Sequence, residues 1–185
     1  MRLPRVLLGL LMATTLGLPA SLSMGTPMSG ASTPRPCSEA ALAPTVGRGS
    51  AAAGTTYVTL IMRNRSPASC ALSGTPATQF GNFVAPTGVY SLAIFRAVGP
   101  AATKLTIAGR GKTILVRPGA VASVTIGIET AGNYVPLQCH KTNASRVRLV
   151  FSSRTMLYYT LATTEVCTKL ASTTTSSVVL GTRYP

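Results

Sequence analysis

Residues 55–64 read TTYVTLIMRN. Val58, Leu60 and Met62 recur at a spacing of two and share one face of an extended chain; Tyr57, Thr59, Ile61 and Arg63 share the other. That alternation predicts a half-buried strand with one core face and one partly wet face. Working outward, Arg65-Ser66-Pro67 reads as a turn, Cys70–Leu72 as a short strand and Gly74-Thr75-Pro76 as a corner. Further strands are expected at Ser91–Phe95, Lys104–Ile107 and Thr113–Val116, the last two joined by Gly109-Arg110-Gly111-Lys112 as a hairpin turn. After the turn at Arg117-Pro118-Gly119, Ala120–Ile128 places Ala122, Val124, Ile126 and Ile128 on its core face.

The run RVRLVF at 146–151 alternates again, with Val147, Leu149 and Phe151 inward and Arg146 and Arg148 outward. Met156–Leu161 and Ser177–Leu180 supply two more strands, and the Ser/Thr-rich LASTTTSSVV at 170–179 reads as a loop feeding the last one. Upstream, Ser38–Val46 admits either a short helical turn stopped by Pro44 or a first edge strand. No stretch is long and periodic enough for a substantial helix. The expected fold is all-β, a single antiparallel β-sandwich, immunoglobulin-like in general architecture.

The N-terminus, MRLPRVLLGLLMATTLGLPA, has Arg2 and Arg5, an apolar run from Val6 to Leu18, then small residues. This is the pattern of a secretory signal. The run is shorter than the roughly 18 apolar residues of a spanning helix and is interrupted by Thr14 and Thr15, so no transmembrane segment is expected in the mature protein. Residues 1–31 are assigned to the signal peptide, with cleavage between 20 and 31, 32–36 to a flexible lead-in and 37–185 to the β-sandwich domain. Cys37 follows Arg35-Pro36 and lacks a lipoprotein context.

Cys37, Cys70, Cys139 and Cys167 form an even set in an exported chain, where thiols pair. Four cysteines allow three connectivities and the sequence does not fix one. Cys37–Cys70 and Cys139–Cys167 are favoured, because each closes a moderate loop and ties one end of the domain. Arg63 and Arg65 could otherwise activate Cys70 as a thiolate.

Lys plus Arg number 17 against three acids, and the formal net charge is +14. Such a chain attracts polyanions by salt-sensitive Coulomb forces and opposes self-association, so a monomer is expected. The acids are Glu39, Glu129 and Glu165, with no aspartate and one histidine, His140. That stock is poor for proton-transfer or nucleophilic catalysis, and no Gly-x-Ser-x-Gly elbow accompanies it. With sulfurs paired and aspartate missing, zinc and calcium sites lack ligands. No catalytic residue, metal or cofactor is expected, and His140 reads as an ordinary polar loop residue.

Arg63 with Arg65, and Arg146 with Arg148, are two apart on expected strands, so each pair projects from one face and could hold a phosphate or carboxylate. The plain alternative is a wet sheet face that keeps strand edges from aggregating. Nucleic acid is disfavoured, since export removes the chain from most of it and few aromatics lie among the basic residues.

Cys37, Gly54-Thr55-Thr56-Tyr57, Asn64, Cys70-Ala71-Leu72-Ser73-Gly74-Thr75-Pro76, Arg117-Pro118-Gly119-Ala120, Cys139 and Cys167 together resemble one pattern, that of the exported actinobacterial family known as domain of unknown function 4232. The resemblance spans Cys37 to the C-terminus and implies a single β-sandwich behind a signal peptide or lipid anchor, with no established activity. Thr75 stands where that family commonly carries an aromatic, and Gly127 where a tryptophan is frequent.

The expected function is an exported, non-enzymatic binding or structural module at the cell envelope or in the extracellular space. Its expected partners are anionic envelope glycans or lipid headgroups. The alternative is a protein-recognition domain, an adhesin or enzyme inhibitor, anchored by apolar residues such as Tyr134, Tyr158 or Tyr159.

Overall fold

A computed structural model of the protein describes residues 34–84, 93–105, 112–152 and 155–182. The expected signal segment and the Gly109-Arg110-Gly111 turn lie outside them. Ser38 caps a single 3-10 turn, Glu39–Ala41, its hydroxyl accepting from the Ala41 N–H at 3.3 Å. The chain then extends into β1 (Leu42–Ala52), so both readings of this region hold, one after the other. Pro44 sits in β1 without breaking a ladder because β1 is an edge strand. A tight turn with Ala53 and Gly54 both at positive φ returns the chain as β2 (Thr55–Asn64), the decisive strand of the sequence.

Short strands follow: β3 (Cys70–Leu72), β4 (Ala77–Val84), β5 (Ile94–Ala97), β6 (Thr103–Leu105) and β7 (Ile114–Val116). Then come β8 (Val121–Glu129), one turn of helix α1 (Pro136–Cys139), β9 (Lys141–Ser152), β10 (Thr155–Cys167), β11 (Thr173–Ser176) and β12 (Val179–Leu180). One sheet runs β1-β2-β8-β11-β6 with β12 also paired to β8; a second runs β10-β9-β4-β5; β3 and β7 form a two-stranded ribbon. Among the described residues, pairing between strands is antiparallel except for β11 with β6.

The core lies between the sheets. Leu60, Met62, Val124 and Ile126 from the first sheet meet Phe80, Val147, Leu149, Leu157 and Tyr159 from the second, all buried in one cluster. Cross-strand pairs build it: Val58 opposes Ile126, Leu60 opposes Val124, and the long Met62 opposes the small Ala122. Cys37–Cys70 is buried in this cluster and ties the start of the domain to β3. Cys139–Cys167 closes a smaller cluster with Ala131, against which Tyr134 and Leu170 pack. Both favoured pairings are present. Among the described residues no helix is long and apolar enough to cross a membrane.

Four local expectations change. Residues 77–84 form β4, which the sequence did not announce, since Ala, Gln, Asn and Gly are weak strand formers. Thr173–Ser176, expected to be loop, is β11 between β8 and β6; its β-branched threonines suit a pleated surface, and buried Thr175 accepts from Thr78 Oγ1 of the opposite sheet at 3.0 Å. The strands expected to form a hairpin across 109–112 do not pair: β6 joins β11 and β7 joins β3. Arg35 and Pro36, expected in the flexible lead-in, are joined to β3, the Arg35 carbonyl accepting from the Ala71 N–H at 2.8 Å.

Candidate functional site

Inward burial of Phe80, Val147, Leu149, Leu157 and Tyr159 fixes the second sheet's pleat. The alternate residues therefore turn outward: Gln79 and Phe83 on β4, Arg146 and Arg148 on β9, Tyr158 on β10. The register places Tyr158 opposite Arg148 and Arg148 opposite Gln79; Phe83 opposes Phe95 of β5. Gly81 opposes Arg146 and leaves room above itself, which Phe95 fills: a Cβ at 81 would meet the Phe95 ring at 2.7 Å and collide with the Arg96 carbonyl oxygen.

The side chains interlock. Phe83 and Phe95 meet edge to face with centroids 6.0 Å apart, and Tyr158 lies 5.4 Å from Phe83 and 5.6 Å from Phe95. The Arg146 guanidinium lies 5.3 Å from the Phe83 centroid and that of Arg148 4.8 Å from the Phe95 centroid, both within cation–π range. Arg148 also donates through Nη2 to Gln79 Oε1, while its Nε is buried with no acceptor among the described residues. No carboxylate faces either arginine at ion-pair distance: among the described residues the one ion pair joins Lys141 and Glu165 at 3.9 Å. The result is two half-buried cations held on an aromatic platform without counter-charge. Phe83, at 39 % exposure, adds open apolar surface beside them.

The other arginine pair is arranged differently. Arg63 is on β2 and donates to the Gly119 carbonyl at 2.9 Å, whereas Arg65 lies past the end of the strand. Arg65 lines a recess of about 320 Å³ with Glu39, Leu42, Pro44 and Tyr158, between the free edges of β1 and β10. Tyr158 thus links Arg65 to the Arg146–Arg148 face, but Glu39 offsets the charge in the recess. Tyr159 is 2 % exposed and donates to the Ile61 carbonyl at 3.3 Å; burial pushes its phenol far up, and it is core rather than a contact anchor. His140 is an exposed left-handed residue capping α1, and its carbonyl accepts from the Thr168 hydroxyl at 3.0 Å.

Gln79, Phe83 and Phe95 are the members of the face that sequence reasoning passed over. Buried Thr78 and Phe80, two apart, are the signal that would have revealed β4 and turned Gln79 and Phe83 outward.

Residues 37–178 match the family described as Domain of unknown function (DUF4232). The protein belongs to the DUF4232 family. No curated protein and no solved structure matches the chain. In this DUF4232 domain the space above Gly127 is taken by Tyr57, its partner across β2–β8, and by Thr174: a Cβ at 127 would lie 3.2 Å from the tyrosine ring and 2.5 Å from the Thr174 hydroxyl. Thr75 is hydrogen-bonded to the Ser177 hydroxyl at 2.9 Å and pins the Gly74 corner beside the last strand.

Proposed function

We propose that this DUF4232 domain is an exported, non-enzymatic binding module for anionic material of the cell envelope. One observation carries the reading: Arg146 and Arg148 are fixed over Phe83 and Phe95 on an outer sheet face with no carboxylate partner among the described residues. A guanidinium so placed keeps N–H groups for paired hydrogen bonds to a carboxylate or phosphate, and the rings behind it reduce the entropy lost on binding. The charge of +14 brings polyanions to the surface from a distance. The apolar N-terminus and the two disulfides support an oxidising location outside the cytoplasm. The single histidine and three glutamates support a role without turnover.

Co-sedimentation with purified envelope tests the proposal. Binding at low salt that falls steeply as salt rises, and that drops tenfold or more in R146Q/R148Q, is the expected result. Binding unchanged by salt or by the double substitution would overturn it and favour a protein partner.

A further inference from the structure

We infer that the ligand of the β10-β9-β4-β5 face is an acidic glycan, bound through its sugar rings as well as its charges, with Phe83 as the ring contact. This rests on the binding reading above and adds the ligand class. Charge alone does not account for the face. Arg146 and Arg148 are not extended into solvent, as lysines and arginines on a merely wet surface would be; each guanidinium is positioned over a ring. Their Cα atoms, two residues apart on β9, are about 7 Å apart along the strand, so two acidic groups on one chain can be met at once.

Beside these cations the sheet exposes Phe83. A bare polyanion has no use for that apolar area. A sugar ring does, because its C–H face packs on an aromatic ring while its hydroxyls and acid groups point to the rim. Rim groups are present: Gln79 spends its oxygen on Arg148 and retains its amide N–H groups, and exposed Thr160 stands opposite Arg146. The platform is also built in advance. Gly81 permits Phe95 to lie across β4, and Phe95 with Tyr158 supports Phe83 on two sides, which leaves little to order on binding.

Four probes separate the contributions: polygalacturonate (rings with carboxylates), polyphosphate (charge without rings), dextran (rings without charge) and phosphatidylglycerol vesicles (an anionic lipid surface). Affinity for the full-length mature protein is measured with wild type, F83A, F83W and R146Q/R148Q, with thermal melts confirming that each is folded. The expected result is tightest binding to polygalacturonate, at least fivefold weaker in F83A, retained in F83W and lost in R146Q/R148Q. Polyphosphate binding should be weaker and indifferent to F83A. Equal binding of polygalacturonate and polyphosphate, or of vesicles at least as tight, with F83A without effect and R146Q/R148Q still disruptive, would overturn the glycan inference and leave the anion-binding reading standing. Loss of all four interactions in wild type, or their indifference to R146Q/R148Q, would remove both.

Discussion

Replacing Asn64 with alanine should cost the fold about 3 kcal/mol. The residue is fully buried at the end of β2. Its amide donates to the Val116 carbonyl at 2.9 Å, within the core, and to the Ala68 carbonyl at 2.9 Å; its oxygen accepts from the Ser66 N–H at 2.9 Å and the Ser66 hydroxyl at 2.7 Å. The backbone joins in, with the Asn64 N–H donating to Ala120 and its carbonyl accepting from Gly119. One side chain therefore holds the 65–69 turn, β7 and the end of β2 in register. Alanine leaves the Val116 acceptor facing an apolar gap, worth about 1–3 kcal/mol, while the three bonds nearer the surface are partly replaced by water at about 0.5 kcal/mol or less each. For about 150 residues a loss of 3 kcal/mol lowers the melting temperature by roughly 6–12 °C.

Asn64→Asp sharpens the test. It keeps the shape but turns two donors into a carboxylate oxygen facing two carbonyls, so at pH 7 it should be less stable than N64A. Protonation restores one donor. The folded-state pKa of the new acid is therefore raised, and N64D should gain stability relative to N64A as pH falls through that value. Urea denaturation at pH 7 and pH 4 measures both variants. A loss below 1 kcal/mol in N64A, or an N64D more stable than N64A at pH 7, would refute the reasoning.

Further expectations follow from buried groups. Tyr159 has its phenol raised above the ordinary 10.0 by desolvation. Its stabilisation is thus fully present below pH 10 and is lost above it, at about 1.4 kcal/mol per pH unit, as the unfolded chain releases the proton first; Y159F should flatten that alkaline slope in denaturation curves. Removing Cys37–Cys70 or Cys139–Cys167, which span 33 and 28 residues, should each cost about 3–4 kcal/mol in the chain-entropy account, read as a lower denaturation midpoint in C37A/C70A and C139A/C167A. Gly81→Ala should destabilise by about 1–3 kcal/mol, because the added methyl meets the Arg96 carbonyl and the Phe95 ring; near-ultraviolet circular dichroism should report the displaced aromatic cluster.

The fold was legible where apolar alternation carried it. Leu60, Met62, Val124, Ile126, Val147 and Leu149 are core as their spacing required. It was illegible where a strand is buried by hydroxyl pairing instead of apolar area, as in β11, where Thr175 meets Thr78 across the sheets. It was also obscured where glycine breaks the pattern, as Gly81 does in β4. Partner choice is non-local, so nothing near 109–112 could say that β6 would join β11 and β7 would join β3.

Half of the candidate site could be read from the chain. Arg146 and Arg148 alternate out of RVRLVF, but their aromatic partners come from β4, β5 and β10, and only strand register brings those together. The view that few aromatics lie among the basic residues holds along the sequence and fails in space. Tyr159 shows the converse: its neighbour Tyr158 joins the platform, whereas the pleat turns Tyr159 into the core.

The most direct measurement is an amide chemical-shift titration of isotopically labelled protein with polygalacturonate at low salt. Saturable shifts centred on Gln79, Phe83, Phe95, Arg146, Arg148 and Tyr158, absent in R146Q/R148Q, are the predicted result. Shifts centred on the β1-β2-β8 face, or none at any concentration, would contradict the account.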